Sequence, residues 1–374
     1  MLSYIEISKK NLVHNFRMMK SLLRPEVKIA AVIKANAYGH GQNLVAKILE
    51  KEADYFQVDD LQELKELRKV SKKPTFVFGY VPKKEMAEAV KLKVILGVYD
   101  EEQIKALNSV AKKLKTKAKV HVKIDAALGR QGVLPKDLQA LIKVIKKCKN
   151  ISVLGAYSHF ANIEDTADFS HARKQLDLFD EACKIFSKNG YQNLETHISA
   201  SSGIMAHENK NSQASIVRTG ISLYGLWPSE ELKKRLEKNN FKLKPVLRWI
   251  THVAQVKTLP KNHPIGYGLT YVTKKPMKVV VVPQGYSDGF DRGLSNSGEV
   301  LIQGKRCRVL GRVAMNMFVV DVSHLKNIEN EEEVVLLGRQ GKVEITAEEI
   351  AERLGTINYE VVARISPLLP RITR

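Results

Sequence analysis

Eight short apolar runs, each leading through a turn toward an amphipathic stretch, recur between residues 27 and 221 and constrain the fold more than any other feature of the chain. They are VKIAAVIK, YFQVDD, PTFVFGY, VILGVYD, KVHVKID, ISVLGAYSH, LETHISA and ASIVRTGI, beginning near positions 27, 55, 74, 94, 119, 151, 194 and 214. Such β-branched runs read as strands covered on both faces, as in a parallel sheet. Helical spacing lies between several of them, through Ile104, Leu107, Ala111 and Leu114, and through Phe169, Ala172, Leu176, Phe179, Cys183 and Phe186. Strand then helix, eight times over, predicts an α/β TIM barrel, (β/α)8. A doubly wound open sheet shares that alternation. Polar residues at the strand exits separate the two: Lys34 closes the first run, Lys123 and Asp125 the fifth, His159 the sixth, His197 the seventh and Arg218 the eighth. A barrel gathers all its carboxyl ends on one rim, whereas an open sheet spreads them out.

Lys34 sits in AAVIKANAYGHG, where Asn36, Gly39 and Gly41 signal a turn into a helix. A lysine after a strand is ordinarily a solvated strand end. With its charge partly stripped by burial, the same amine is neutral at working pH and forms a Schiff base with an aldehyde, which is how pyridoxal phosphate is held.

The pattern changes after Gly225. A charged, helix-like stretch from Glu230 to Asn239 leads to Val- and Ile-rich runs separated by Gly, Pro and Asn turns: LRWITHVAQV, MKVVVVP, CRVLGRV, MFVVDVS and EEVVLLG. The expected organisation is a barrel over residues 8–239 followed by a C-terminal mostly-β domain over 240–374, closed by a short helix at 346–354. A short strand at 4–7 precedes the barrel, with its place in either domain left open.

Composition narrows the function classes. The net charge of +21 gives weak, salt-sensitive attraction to polyanions. The lysines responsible, such as Lys112, Lys113, Lys115 and Lys117, lie along surface helices without interleaved aromatics, so no specific nucleic-acid partner is expected. No apolar run approaches the length of a membrane span, the opening MLSYIEISKK does not read as a secretory signal, and a cytoplasmic location is expected. Three cysteines without CxxC spacing argue against a disulfide framework and against a zinc site.

The strings KANAYGHG, HVKIDAALGR, GAYSHFAN, HISASS, VRTGISLYG, IGYGLTY, GYSDGFDR, GRVAMNM, VVLLGRQG and GTINYEVV occur in this order along the chain. Together they resemble the alanine racemases, fold type III enzymes that use pyridoxal phosphate. The resemblance implies a head-to-tail homodimer with shared active sites and a small amino acid, alanine, as substrate. It implies D-alanine supply for peptidoglycan as the cellular role. Lys34 is then the cofactor lysine and one catalytic base, and Tyr267 of the partner subunit is the second. His159, Arg218 and His197 form a chain behind that tyrosine, with Arg218 facing the pyridine nitrogen. Tyr38, Ser201, Tyr359 and the amides of Gly220 and Ile221 grip the phosphate. Arg130 hydrogen-bonds the cofactor's phenolic oxygen and is positioned by Lys123, which in the family is often carbamylated. Tyr286 and Met315 line the entrance and hold the substrate carboxylate.

The chain departs from the family pattern in several places. Asn316 stands where aspartate is usual, Ala200 where asparagine is usual and Thr219 where proline is common, while Ala126 and Ala127 replace the usual Thr and Gly. These bear on substrate entry and choice more than on the cofactor. A broader-specificity racemase and a non-catalytic cofactor-binding barrel are the alternative readings.

Overall fold

The computed structural model of the protein describes residues 1–164, 168–206 and 214–374. The chain divides into two compact units, one formed by Val13–Ala35 and Val45–Leu243, the other by Met1–Leu12, Asn36–Leu44 and Lys244–Arg374.

After β1 (Tyr4–Ile7), which belongs to the second of these units, come eight strands of the first: β2 (Lys28–Val32), β3 (Tyr55–Val58), β4 (Thr75–Val77), β5 (Ile95–Val98), β6 (Ala118–Lys123), β7 (Ile151–Tyr157), β8 (Glu195–His197) and β9 (Ile216–Thr219). They pair in parallel in the order β8-β7-β6-β5-β4-β3-β2-β9. The open ends meet: the Arg218 amide donates to Ser199 O at 3.0 Å and the Ser215 amide to Thr196 O at 3.1 Å. The result is the nearly closed eight-stranded barrel expected from the repeat.

Inside it, Ala30, Phe76, Phe78, Ile95, Tyr157 and Ile216 form one buried cluster. Phe78 stacks on Tyr157 with ring centroids 4.0 Å apart. The helices outside bury most, but not all, of their predicted apolar positions. Glu101–Lys113 starts at Asp100, whose side chain accepts from the Gln103 amide, and buries Ile104, Leu107 and Ala111. Helix Ser170–Lys188 buries Ala172, Gln175, Phe179, Ala182 and Phe186, while Leu176 and Cys183 are only partly covered. Its inward stripe is thus turned by one residue from the apolar reading, because the amide of Gln175 has buried partners described below.

In the second unit, β1 pairs antiparallel with Leu247–His252 (Ile5 opposite Trp249), and that strand pairs with Glu333–Gln340. Met277–Val282, Glu299–Ile302, Lys305–Leu310 and Phe318–Asp321 continue the sheet in antiparallel pairs. Helix Ala347–Leu354 is capped by Thr346, as its sequence signals. The chain does not end there. A further helix, Asn358–Ala363, follows, and Arg371–Thr373 pairs in parallel with β1. Three residues flanked by Pro370 are too few to show a period, so that strand is set by pairing alone. Among the described residues no helix is long and apolar enough to cross a membrane.

Candidate active site

Lys34 comes one residue after β2 and opens a single turn, Lys34–Tyr38, in which Ala35, Asn36, Ala37 and Tyr38 all have φ between +51° and +55°. A left-handed turn costs an L-residue about 1–2 kcal/mol, so local bonds must hold it. The Glu63 carboxylate accepts the Ala35 amide at 2.5 Å with one oxygen and the Asp59 amide at 2.7 Å with the other. Asn36 Oδ1 accepts from the Gln42 amide at 2.9 Å. Asp59 lies opposite the lysine, its Oδ1 3.6 Å from Lys34 Nζ. Glu63 carries no strong signal in the sequence, yet it braces both residues.

Arg218, at the end of β9, is buried and donates five hydrogen bonds. Three go to the carbonyls of Ser158 (2.7 Å), Ile198 (3.1 Å) and His197 (3.3 Å), and two to His197 Nδ1 (2.5 Å) and His159 Nδ1 (3.3 Å). A guanidinium only donates, so both ring nitrogens accept and both imidazoles carry their proton on Nε2. Burial and then the charge of Arg218 hold both rings neutral, His159 at about 3 and His197 well below its ordinary value; Arg130, Lys123 and Lys34 add to the effect on His159. Burial brings Arg218 itself down to about 10, so it stays cationic at neutral pH.

Lys123, the last residue of β6, is 5% exposed and its Nζ lies 5.5 Å from the Tyr157 ring centroid. Burial, then Arg130 and Arg218, bring its amine down to about 8. Asp125 offsets this only in part and does not pair with it: Asp125 Oδ1 accepts the amides of Leu128 (2.9 Å) and Gly129 (3.0 Å), and no carboxylate among the described residues is within ion-pair distance of Lys123. The Tyr157 hydroxyl is buried without a hydrogen-bond partner among the described residues, and a Cβ at Gly97 would sit 2.4 Å from it, so this close approach requires glycine. Arg130 is exposed and lines a cleft with His159, Ala200, Ser202 and Glu164.

Gln175 is a residue that sequence reasoning missed. Fully buried, it donates to Ala126 O (2.8 Å) and His159 O (3.1 Å) and accepts from the Ala161 amide (2.8 Å), tying the loops after β6 and β7 together. A polar residue on a helix's apolar face was the only available signal.

Ser201 opens the helix Ser201–Ala206, and its Oγ accepts the Gly220 amide at 2.9 Å. Ile221 begins the 3-10 turn Ile221–Tyr224. The first unit therefore contains Lys34, Lys123, Arg130, His159, His197, Ser201, Arg218, Gly220 and Ile221, with Arg218 joining the two histidines and Ser201 meeting Gly220. The remaining predicted residues belong to the second unit. There Tyr38 and Tyr359 bring their rings to 6.2 Å. Tyr286 and Met315 share two paired loops, in which the Tyr286 amide donates to Ala314 O at 3.1 Å and the Asn316 side chain donates to Ser287 Oγ at 2.8 Å. Tyr267 lies on a separate turn and is 73% exposed.

Models of the alanine racemase N-terminal and C-terminal domains match residues 7–228 and 246–373. Alanine racemase 2 of Caldanaerobacter subterraneus subsp. tengcongensis is 39% identical over 98% of this chain and 94% of its own length. The alanine racemase of Methanococcus maripaludis is 37% identical, covering 99% of this chain and 98% of that protein. Among solved structures, the alanine racemase of Clostridium difficile 630 superposes with a TM-score of 0.93 at 35% identity, covering 100% of this chain and 96% of that one. The enzyme from Bartonella henselae, solved with covalently bound pyridoxal phosphate, gives 0.85 at 25% identity, with 100% of both chains covered. With both domain models matched and relatives similar from end to end, the chain belongs to the alanine racemase family.

Proposed function

We propose that the protein interconverts L- and D-alanine with pyridoxal phosphate as cofactor, using Lys34 on one face of the substrate and Tyr267 from a second copy of the chain on the other. The observation that carries this reading is the buried Arg218 guanidinium holding two neutral imidazoles at the exits of β7 and β8.

The donor set fits the cofactor. Lys34, Lys123, Arg130 and Arg218 are mutually close enough to perturb one another or a shared neighbour, and Asp59 is the carboxylate at Lys34. Such an excess of cations suits an anionic ligand. Lys34 would hold the cofactor; Tyr38, Ser201, Tyr359 and the amides of Gly220 and Ile221 would hold its phosphate; Arg130 would bind its phenolic oxygen. When bound, the cofactor supplies an electron sink that acidifies the α proton of an amino acid.

The chain's own residues do the rest. Arg218 would meet the ring nitrogen without giving it a proton, because guanidinium does not release one readily. This keeps the sink weak, which disfavours side reactions that need a long-lived charge. His159 presents an Nε2–H that can donate to the phenol oxygen of Tyr267, favouring phenolate in a residue whose ordinary pKa is about 10. Lys34 Nζ and Tyr267 Oη would each hold or deliver the α proton at its own face. Lys123, down at about 8, has the neutral amine fraction that carbamylation requires, and a carbamate there would orient Arg130. Tyr286 and Met315 would receive the substrate carboxylate. Exposure of Tyr267 (73%) and Leu269 (64%) supports pairing of two copies through this turn. The cellular role we assign is D-alanine supply for peptidoglycan.

The test is direct. The purified chain with pyridoxal phosphate is expected to form D-alanine from L-alanine, and borohydride is expected to fix the cofactor to Lys34. Tyr267→Phe is expected to lower the rate about a hundredfold or more while the bound cofactor's absorbance persists. An unchanged rate discards the two-base assignment. Ala200 in the cleft is smaller than the usual asparagine and favours a second reading, a broader racemase; a panel of larger amino acids separates the two.

A further inference from the structure

The interior of an eightfold barrel is ordinarily filled by branched aliphatic side chains. Here a polar column continues from Arg218 toward the opposite end. His197 Nε2 lies 2.9 Å from His121 Nδ1, and both rings are fully buried. His121 Nε2 lies 3.6 Å from Glu195 Oε2. Glu195 is the first residue of β8, and its Oε1 accepts from Lys28 Nζ at 2.8 Å and from the Tyr55 hydroxyl at 2.6 Å. Lys28 and Tyr55 open β2 and β3, so the column ends at the amino ends of three strands.

Each proton in this column follows from the one before. Arg218 can only donate, so His197 Nδ1 accepts and its proton is on Nε2. That N–H points at His121, so His121 Nδ1 accepts and its own proton is on Nε2. Nothing among the described residues accepts that last proton within hydrogen-bond distance, and the nearest charge is the Glu195 carboxylate. Arg218 itself has no carboxylate within ion-pair distance among the described residues; all its acceptors are neutral. Were His197 to carry its proton on Nδ1, two donors would face each other and Arg218 would be displaced.

We propose that His121 and Glu195 are positioning residues for racemisation: the Glu195 carboxylate fixes the proton of His121 on Nε2, which fixes that of His197 on Nε2, and so keeps a lone pair on His197 Nδ1 for Arg218. The proposal rests on the reading above, in which Arg218 serves the cofactor. The carboxylate is suited to the part. Burial works against its charge, but the neighbouring His121 ring and the hydrogen bonds from Lys28 and Tyr55 outweigh it and hold Glu195 at about 2. Gly155 leaves room for the column, since a Cβ there would lie 2.6 Å from His121 Cε1 and 2.2 Å from Glu195 O.

The test uses the full chain with 15N-labelled histidine. Nitrogen shifts recorded before and after pyridoxal phosphate is added are expected to show His121 and His197 neutral and protonated on Nε2. A ring protonated on Nδ1, or on both nitrogens, overturns the proposal, whether or not the protein racemises anything. His121→Phe removes the acceptor, whereas His121→Asn places an amide oxygen where Nδ1 was. The first is expected to lower kcat for alanine about tenfold or more, with KM changed by less than about twofold, and the second to recover most of it. Glu195→Gln is expected to weaken kcat in the same direction and to scramble the His197 proton between its two nitrogens. A kcat for His121→Phe within about twofold of the unsubstituted chain sinks the proposal. Should that variant not fold, the nitrogen shifts of the unsubstituted chain still decide. Absence of any racemisation by the unsubstituted chain counts against the proposed function alone.

Discussion

Gln175 shows how much a single buried amide can organise. Its three hydrogen bonds satisfy Ala126 O, His159 O and the Ala161 amide, none of which belongs to a strand or helix ladder. Gln175→Leu keeps the apolar face of the helix but leaves three backbone groups unpaired. At about 1–3 kcal/mol for each buried group left unsatisfied, the expected loss is roughly 3 kcal/mol or more. Urea unfolding measures it, and an unchanged midpoint would mean that water takes over all three bonds. The other site residues were easier to read. Lys34, Lys123, His159, His197 and Arg218 each interrupt or end an apolar run, where a polar residue needs a reason. His121 and Glu195 offered the same sign, standing two positions before Lys123 and His197 on the same strand faces. That sign becomes informative only once the faces are known to point inward.

Among the elements, the turn after β2 departs most from its sequence. Asn36, Gly39 and Gly41 predict a turn, and one is present, but its hand is left, through two alanines and a tyrosine that have no preference for it. Only Asn36 tolerates that conformation readily. Bonds from Glu63, far along the chain, keep Ala35 in place, which is why the local sequence does not announce the hand. Ala35 is exposed, so Ala35→Gly removes strain without removing packing. Glycine costs about 1 kcal/mol in an ordinary helix; here it is expected to stabilise by about 0.5–1 kcal/mol. A fall in Tm would show that the turn is relaxed by other means. A second element carries a comparable device: the β6–β7 pairing slips between Val120 and His121, so that His121 comes opposite Gly155.

Across the whole molecule, buried histidines make stability sensitive to acid. His40, held at about 4 mainly by burial, joins His121, His159 and His197, all shifted below 6.5 in the folded chain. A group whose folded pKa is depressed contributes stability above its unfolded pKa, and that contribution is lost as pH falls toward the folded value. For these histidines the loss begins near 6.5, at up to about 1.4 kcal/mol per pH unit for each ring that stays neutral. Glu195 adds a further loss between 4.5 and about 2. Self-repulsion from a net charge of +21 acts in the same direction. Tm is expected to hold above about pH 6.5 and to fall ever more steeply below it; a flat profile from pH 7 to about 4 contradicts the burial of these rings. What the sequence determined by itself was periodic and local: eight buried strands, helical stripes, Val-rich β runs, and polar residues where strands stop. Each follows from side-chain spacing along one segment. The tertiary structure decided what depends on distances between segments, namely the hand of the Lys34 turn, the three partners of Gln175 and the proton positions along Arg218, His197, His121 and Glu195. A hydrogen bond is settled within a few tenths of an ångström, and no pattern along the chain carries that precision.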